Sequence, residues 1–215
     1  VGVSPATISN WEKGSQSPEE DKLRALGEAV KFPMNWFLKS SPEHGNEPYF
    51  FRSLASSTKT AREMARVRLN WVAEMANILG QWVNWPEVNV PSIPEKVFLK
   101  ITDGEIETLA AECRKAWKLG MGPIPDVVLT LENAGVIFAR DEIGHLKMDG
   151  VSHWSQLDDR PYVFVSADKA NGIRNRFDAA HELGHLVLHR NVDELTFKQH
   201  YKEIERQADL FAGCF

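Results

Sequence analysis

The sequence predicts a mainly α chain with a small β-sheet, an α+β class assembled from a partial helical bundle, a helical connector and a larger mixed unit. Three features point there. Apolar residues recur at helical spacing along most of the 215 residues, the signature of amphipathic helices. Strand-like patterning is confined to short runs such as "RPYVFVSAD", where Val163 and Val165 alternate with Phe164. Stretches rich in Pro and Gly, above all "SPEHGNEP" and "WPEVNVPSIPEK", punctuate the helical blocks.

Composition excludes several classes. Hydrophobic residues at 43% and charged residues at 26% are ordinary for a globular chain, and this length can bury one full core or two small ones. No apolar run approaches a membrane span, so no membrane partner is expected, and no signal-peptide pattern opens the chain. Cys113 and Cys214 are too few for a disulfide framework, so a reducing cytoplasm is the expected location. A net charge of -5 does not advertise nucleic-acid binding, although a global sum can hide a local basic face. The chain lacks an initiator Met and ends at "ADLFAGCF" inside a helical pattern, so it reads as a fragment.

The elements follow in order. In "GVSPATISNWEKG", Ser4 is a good N-cap, Pro5 suits the first helical position and Gly14 stops the helix. Ile8 and Trp11 form its apolar stripe. A second helix is expected from Pro18 to Val30, with Leu23, Leu26 and Val30 inward, and a third short one near "PMNWFLKS". After the linker "SPEHGNEP", residues 56–84 read as one long helix with an apolar, aromatic second half. Its basic first half is taken to include Arg52, Lys59, Arg62, Arg66 and Arg68. Another helix spans Asp103 to Leu119. "DVVLTLENAGVIFAR" gives a helix, a turn at Gly135 and a strand from Val136 to Ala139. Helical periodicity returns in "RFDAAHELGHLVLHR" and in "YKEIERQADLFAG".

Those last two helices carry the chemistry. His181 and His185 are four apart, one turn along a single helix face, so both imidazoles can address one ion. Glu182 is rotated by roughly 100° from His181. That sets its carboxylate beside the ion rather than on it, where it can take a proton from an acidified water. A catalytic zinc usually has three protein ligands. Glu205 and Asp209 are four apart on the next helix, so Glu205 is assigned to the metal and Asp209 to a histidine ring N–H. Glu203 competes but points elsewhere, and His189 competes but lies one further turn along the axis. Gly184 is small enough to let another element pack close. The plain alternative is a solvated face with satisfied histidines. Phe177, Ala180, Leu183, Leu186 and Leu188 speak against it, because they make the helix apolar on most sides.

"RFDAAHELGHLVLHR" followed by "EIERQADLFAG" resembles the ImmA/IrrE family of zinc metallopeptidases. "AWKLGMGPIPDVVLTLENAGVIFAR", "VSHWSQLDDRPYVFVSAD" and "YFFRSLASSTKTAREMARVRLNWV" fit that family's fusions to a DNA-binding domain. The resemblance implies a zincin-like metallopeptidase domain with His181 and His185 as Zn2+ ligands, Glu182 as catalytic acid/base and an acidic third ligand matching Glu205. Gln207 departs from the pattern, since such proteins often carry a second acid there.

"GVSPATISNWEKGSQSP" resembles the second half of a Cro/C1-type (XRE-family) helix-turn-helix. Its recognition helix would run from Ser4 to about Glu12, with Pro5, Ala6 and Asn10 toward bases and Ser4 and Thr7 toward phosphate. Asn10 alone has bidentate potential, with adenine as its usual partner. Lys13, Lys22, Arg24, Lys31 and Lys39 are balanced by Glu12, Glu19, Glu20, Asp21 and Glu28, so phosphate attraction from this segment is weak.

The expected organisation is a partial helix-turn-helix domain at 1–40, a linker and long connector helix at 41–100, and a metallopeptidase domain at 101–215. The expected function is a regulator that binds operator DNA and cleaves a protein substrate such as a repressor or itself. The alternative is a non-proteolytic transcription factor, or an antitoxin-like repressor, whose peptidase-like domain only senses metal, stress or a partner. A homodimer is the usual helix-turn-helix expectation, because paired half-sites need paired helices.

Overall fold

The computed structural model describes every residue except 41, 43–47, 53–56, 94–97, 143–148 and 168–171, with 172–174 described in backbone only. The chain forms two compact units, Val1–Pro42 and Glu43–Phe215. The expected linker at 41–48 falls largely outside the described residues.

The first unit holds α1 (Pro5–Glu12), α2 (Glu20–Val30) and a 3-10 turn at Met34–Leu38. Ser4 caps α1 by accepting a hydrogen bond from the Thr7 backbone N–H at 3.1 Å, which satisfies one of the orphan donors of a helix start. Helix α2 begins two residues later than Pro18 and stops at Lys31, which takes a left-handed φ of 59°. Leu23 is buried, but Val30 is 47% exposed and does not serve the core as expected.

The second unit contains a four-stranded sheet of order β1-β3-β4-β2, from β1 (Phe50–Arg52), β2 (Ile137–Asp141), β3 (Gly150–Ser155) and β4 (Arg160–Ser166). β1 with β3 and β3 with β4 are antiparallel, and β4 with β2 is parallel. The parallel pair follows from the connection through the antiparallel β3, while α5 (Val127–Asn133) and the turn at Gly135, φ 88°, launch β2. β1 and β3 were not expected as strands. Arg52 accordingly sits on β1, not on the long helix, which is α3 (Lys59–Leu79) capped by Thr58.

Both faces of the sheet are covered. Tyr162 and Phe164 of β4 and Val151 of β3 pack on α3 through Ala61, Ala65, Leu69, Ala73 and Ala76. Small residues at that spacing let a helix lie close to the pleat, so the helix expected as a connector becomes a layer of the core. Its larger Trp71, Met75 and Ile78 are at least 38% exposed. On the other face Val163 and Val165 pack on α6 (Gly172–Leu188), beneath α4 (Asp103–Ala116) and α7 (Glu194–Cys214). This period-two division explains why the residues of β4 after Arg160 are all buried. The cap of α4 is a full capping box between Thr102 and Glu105.

The two site-bearing helices α6 and α7 meet at a glycine. A Cβ on Gly184 would stand 3.1 Å from Ala208 Cα and 3.2 Å from its carbonyl oxygen, so only hydrogen fits this crossing without a shift. Among the described residues, no helix is long and apolar enough to cross a membrane.

Candidate metal centre

Helix α6 presents His181 and His185 on one buried face, at 1% and 0% exposure. Their Nε2 atoms are 3.0 Å apart. Helix α7 brings Glu205 across to them, with its carboxylate oxygens 3.6 Å from His181 Nε2 and 3.4 Å from His185 Nε2. These three side chains are the group among the described residues whose ligand atoms cluster closely enough to hold a metal ion. Zinc bonds of about 2.0–2.1 Å set ligand atoms roughly 3.3–3.4 Å apart on a tetrahedron. The observed separations bracket that value.

The chemistry of the donor set fits a cation. Glu205 Oε1 is buried with no hydrogen-bond donor. His181 Nδ1 lies 2.8 Å from Asp209 Oδ1, and since a carboxylate only accepts, the ring N–H is at Nδ1 and the Nε2 lone pair faces the cluster. Burial holds His181 down at about 4, against the opposing pull of Asp209. The neutral ring is the form that ligates. The hydrogen bond from His181 in turn lowers Asp209.

Glu182 is 0% exposed and within electrostatic reach of His185, Arg52 and Glu205. Burial pushes its carboxyl up to about 7. Both of its oxygens, and the Ser152 hydroxyl beside it, lack a partner at hydrogen-bond geometry, although that hydroxyl lies near enough to favour the carboxylate. Space for the group comes from Gly150, where a Cβ would stand 2.6 Å from Glu182 Oε1. Gly150→Ala is therefore expected to force the buried carboxylate aside and cost about 1–3 kcal/mol by overpacking. A thermal melt reads this directly, and an unchanged midpoint would mean that Glu182 has room to move.

The strand pair β1–β3 forms the floor. Phe50 and Arg52 pair in register with Ser152 and Gly150. Being two apart, Phe50 and Arg52 share a face. Phe50 stacks on the His185 ring at 5.1 Å. Arg52 pairs with Asp178 on α6 and reaches within 4.0 Å of Asp209. Its guanidinium also covers the Phe177 ring at 5.3 Å. Phe177 is 37% exposed and is no part of the apolar wall expected around the histidines. Sequence reasoning missed Phe50, Arg52, Gly150 and Ser152. No apolar/polar alternation marks this strand in the sequence, since Tyr49, Phe50 and Phe51 are all aromatic and the strand spans only three residues.

The competing ligands sit elsewhere. Glu203 is engaged by Arg206 at 2.8 Å and by Gln207 at 3.0 Å. His189, held by burial well below its ordinary range, lies 3.2 Å from His185 Nδ1, on the side of that ring away from Glu205. A cleft of about 550 Å³ opens beside the cluster, lined by Arg52, Asp149, Tyr201, Lys202, Glu205 and Asp209 with Arg206. Tyr201, Glu205 and Asp209 follow one another at one-turn spacing on α7. On α1, Ser4, Pro5, Ala6 and Asn10 are exposed, while Thr7 is half-buried with its hydroxyl 2.9 Å from that of Ser4.

Residues 133–215 match a peptidase-class family model described as an IrrE N-terminal-like domain. Residues 1–37 match the helix-turn-helix family model. No curated protein matches the chain. A segment that matches a helix-turn-helix model and a segment that matches a peptidase-class, IrrE-like model thus stand on one chain.

Proposed function

We propose that this chain, which joins a helix-turn-helix to an IrrE-like domain, is a cytoplasmic transcriptional regulator with a zinc-dependent endopeptidase activity. Its substrate is a protein, either a repressor or the chain itself. The observation that carries the reading is the convergence of His181 Nε2, His185 Nε2 and a Glu205 oxygen that has no donor, next to a fully buried carboxylate.

His181, His185 and Glu205 would hold the ion, with Asp209 fixing the His181 ring. When bound, the ion supplies a Lewis acid for the peptide carbonyl and acidifies the attacking water. Glu182 takes the proton of that water and delivers it to the departing amine nitrogen. Its burial excludes competing solvent and keeps its proton affinity high enough for both transfers. Arg52 holds Asp178 and stands by Asp209, so the carboxylate behind His181 is itself anchored. Tyr201 lines the cleft where a substrate backbone would lie, whereas the neighbouring His200 packs against Phe98.

A second reading, in which the domain senses metal, stress or a partner without cutting, is favoured by one observation, the 0% exposure of Glu182. Promoter output separates the two. Under the proteolytic reading, Glu182→Gln abolishes induction while zinc remains bound. Wild-type regulation by that variant would leave only the sensing role.

For DNA, α1 would enter the major groove of an operator, as a homodimer on paired half-sites. Ser4 and Thr7 would meet phosphate, Pro5 and Ala6 would make apolar base contacts, and Asn10 would pair bidentately with adenine. Asn10→Ala is expected to lose about 1–3 kcal/mol of discrimination between operator and scrambled DNA in a binding titration, with zinc content unchanged. Equal discrimination would remove Asn10 from the interface.

A further inference from the structure

We infer that His189 and Gln207 form a buried relay that locks the His185 ring in the one tautomer able to ligate a metal through Nε2. The inference rests on the metal reading above, but its elements are hydrogen bonds of the protein alone.

The relay starts at a backbone group whose polarity is fixed. The Phe98 carbonyl oxygen can only accept, and it lies 2.8 Å from Gln207 Nε2. Glu203 Oε1 lies 3.0 Å from the same nitrogen. Two acceptors on one side require the Gln207 NH2 group there, so Gln207 Oε1 faces the other way. It meets His189 Nε2 at 2.9 Å. An amide oxygen only accepts, so His189 carries its proton on Nε2 and leaves Nδ1 as a lone pair. His185 Nδ1 lies 3.2 Å from that lone pair. It must therefore donate, and the remaining His185 lone pair is on Nε2, aimed at His181 and Glu205.

All three side chains are at most 1% exposed, so water does not offer a competing partner. The arrangement mirrors the other ligand, whose Nδ1 proton is held by Asp209. It assigns a role to Gln207, where a carboxylate would set a second negative charge against Glu203 and face the Phe98 carbonyl with no proton to give. It also assigns a role to the third histidine of the stripe at 181, 185 and 189, as a positioning residue and not a ligand.

The test is nitrogen-15 NMR of the imidazoles in the full chain stripped of metal, paired with zinc titration. In the wild type, His181 and His185 are expected as Nδ1–H tautomers and His189 as Nε2–H. Gln207→Met is expected to mix the His189 and His185 tautomers and weaken zinc binding about tenfold or more, the usual scale for residues that orient a ligand. His189→Leu should mix the His185 tautomers and weaken zinc binding to a similar degree. His189→Asn, whose amide oxygen stands near the lost Nδ1, should restore both the His185 tautomer and most of the affinity. A His185 Nε2–H tautomer in the wild type overturns the relay, as do unchanged tautomers and affinity in Gln207→Met. Wild-type tautomers as stated, mixed by Gln207→Met in a chain that takes up no zinc, would uphold the relay and overturn the metal reading instead.

Discussion

Replacing Glu182 with Gln is expected to lower peptide cleavage by about 10²–10⁴-fold, the range a positioned general base contributes, while zinc content stays at the wild-type level. That loss corresponds to about 3–5 kcal/mol of transition-state stabilisation. The geometry gives two reasons for so clean a separation. Glu182 is not one of the three clustered ligands, and Gln keeps the shape of the side chain and an oxygen that can still accept from the nearby Ser152 hydroxyl. The pH profile carries the same signature. A base must be deprotonated, and burial lifts Glu182 to about 7 without a cation. A cation beside the carboxylate favours its charged form. Activity is therefore expected to fall as pH drops, with the acid limb at or below about 7, and the limb should vanish in Glu182→Gln. Cleavage of a quenched fluorescent peptide pool by both proteins measures this. Equal rates would remove Glu182 from the chemistry.

Arg52→Met is expected to destabilise the second unit by about 3 kcal/mol, the lower end for removing one partner of a buried ion pair. Arg52 and Asp178 have side chains only 16% and 5% exposed, so solvent screens the pair little. For a domain of this size the loss should move the thermal midpoint by roughly 10 °C. Arg52→Met with Asp178→Leu should recover much of it, because the buried charge goes with its partner. Additive losses in the double variant would mean that the pair contributes through packing alone. Since Arg52 also approaches Asp209 at 4.0 Å, the single variant should weaken zinc binding as well.

How legible the site was in the sequence depended on how local each contact is. His181, His185, Glu205 and Asp209 could be placed because each pair lies within one turn of one helix, and helix geometry then decides what shares a face. Gly184 was readable for the same reason. The floor of the site was not readable. Phe50 and Arg52 matter because a three-residue strand pairs with β3, more than ninety residues away in sequence, and nothing within three residues specifies such a partner. Gly150 and Ser152 were hidden with them. The long helix misled in the opposite direction. It was expected as a connector, yet close packing of its alanine stripe on the pleated sheet makes it a layer of the core and leaves Trp71 and Met75 largely outside. His189 and Gln207 were visible as residues but not as a pair, because their meeting depends on the crossing of α6 and α7.

The central claim is that His181, His185 and Glu205 hold one zinc ion. The measurement that tests it is zinc per chain in wild type, His185→Ala and Glu205→Ala, purified in parallel without added metal. About one zinc in the wild type and none in either variant is the expected result for a three-ligand catalytic site. Wild-type protein that remains metal-free after zinc is supplied, or Glu205→Ala that keeps a full equivalent, would contradict it.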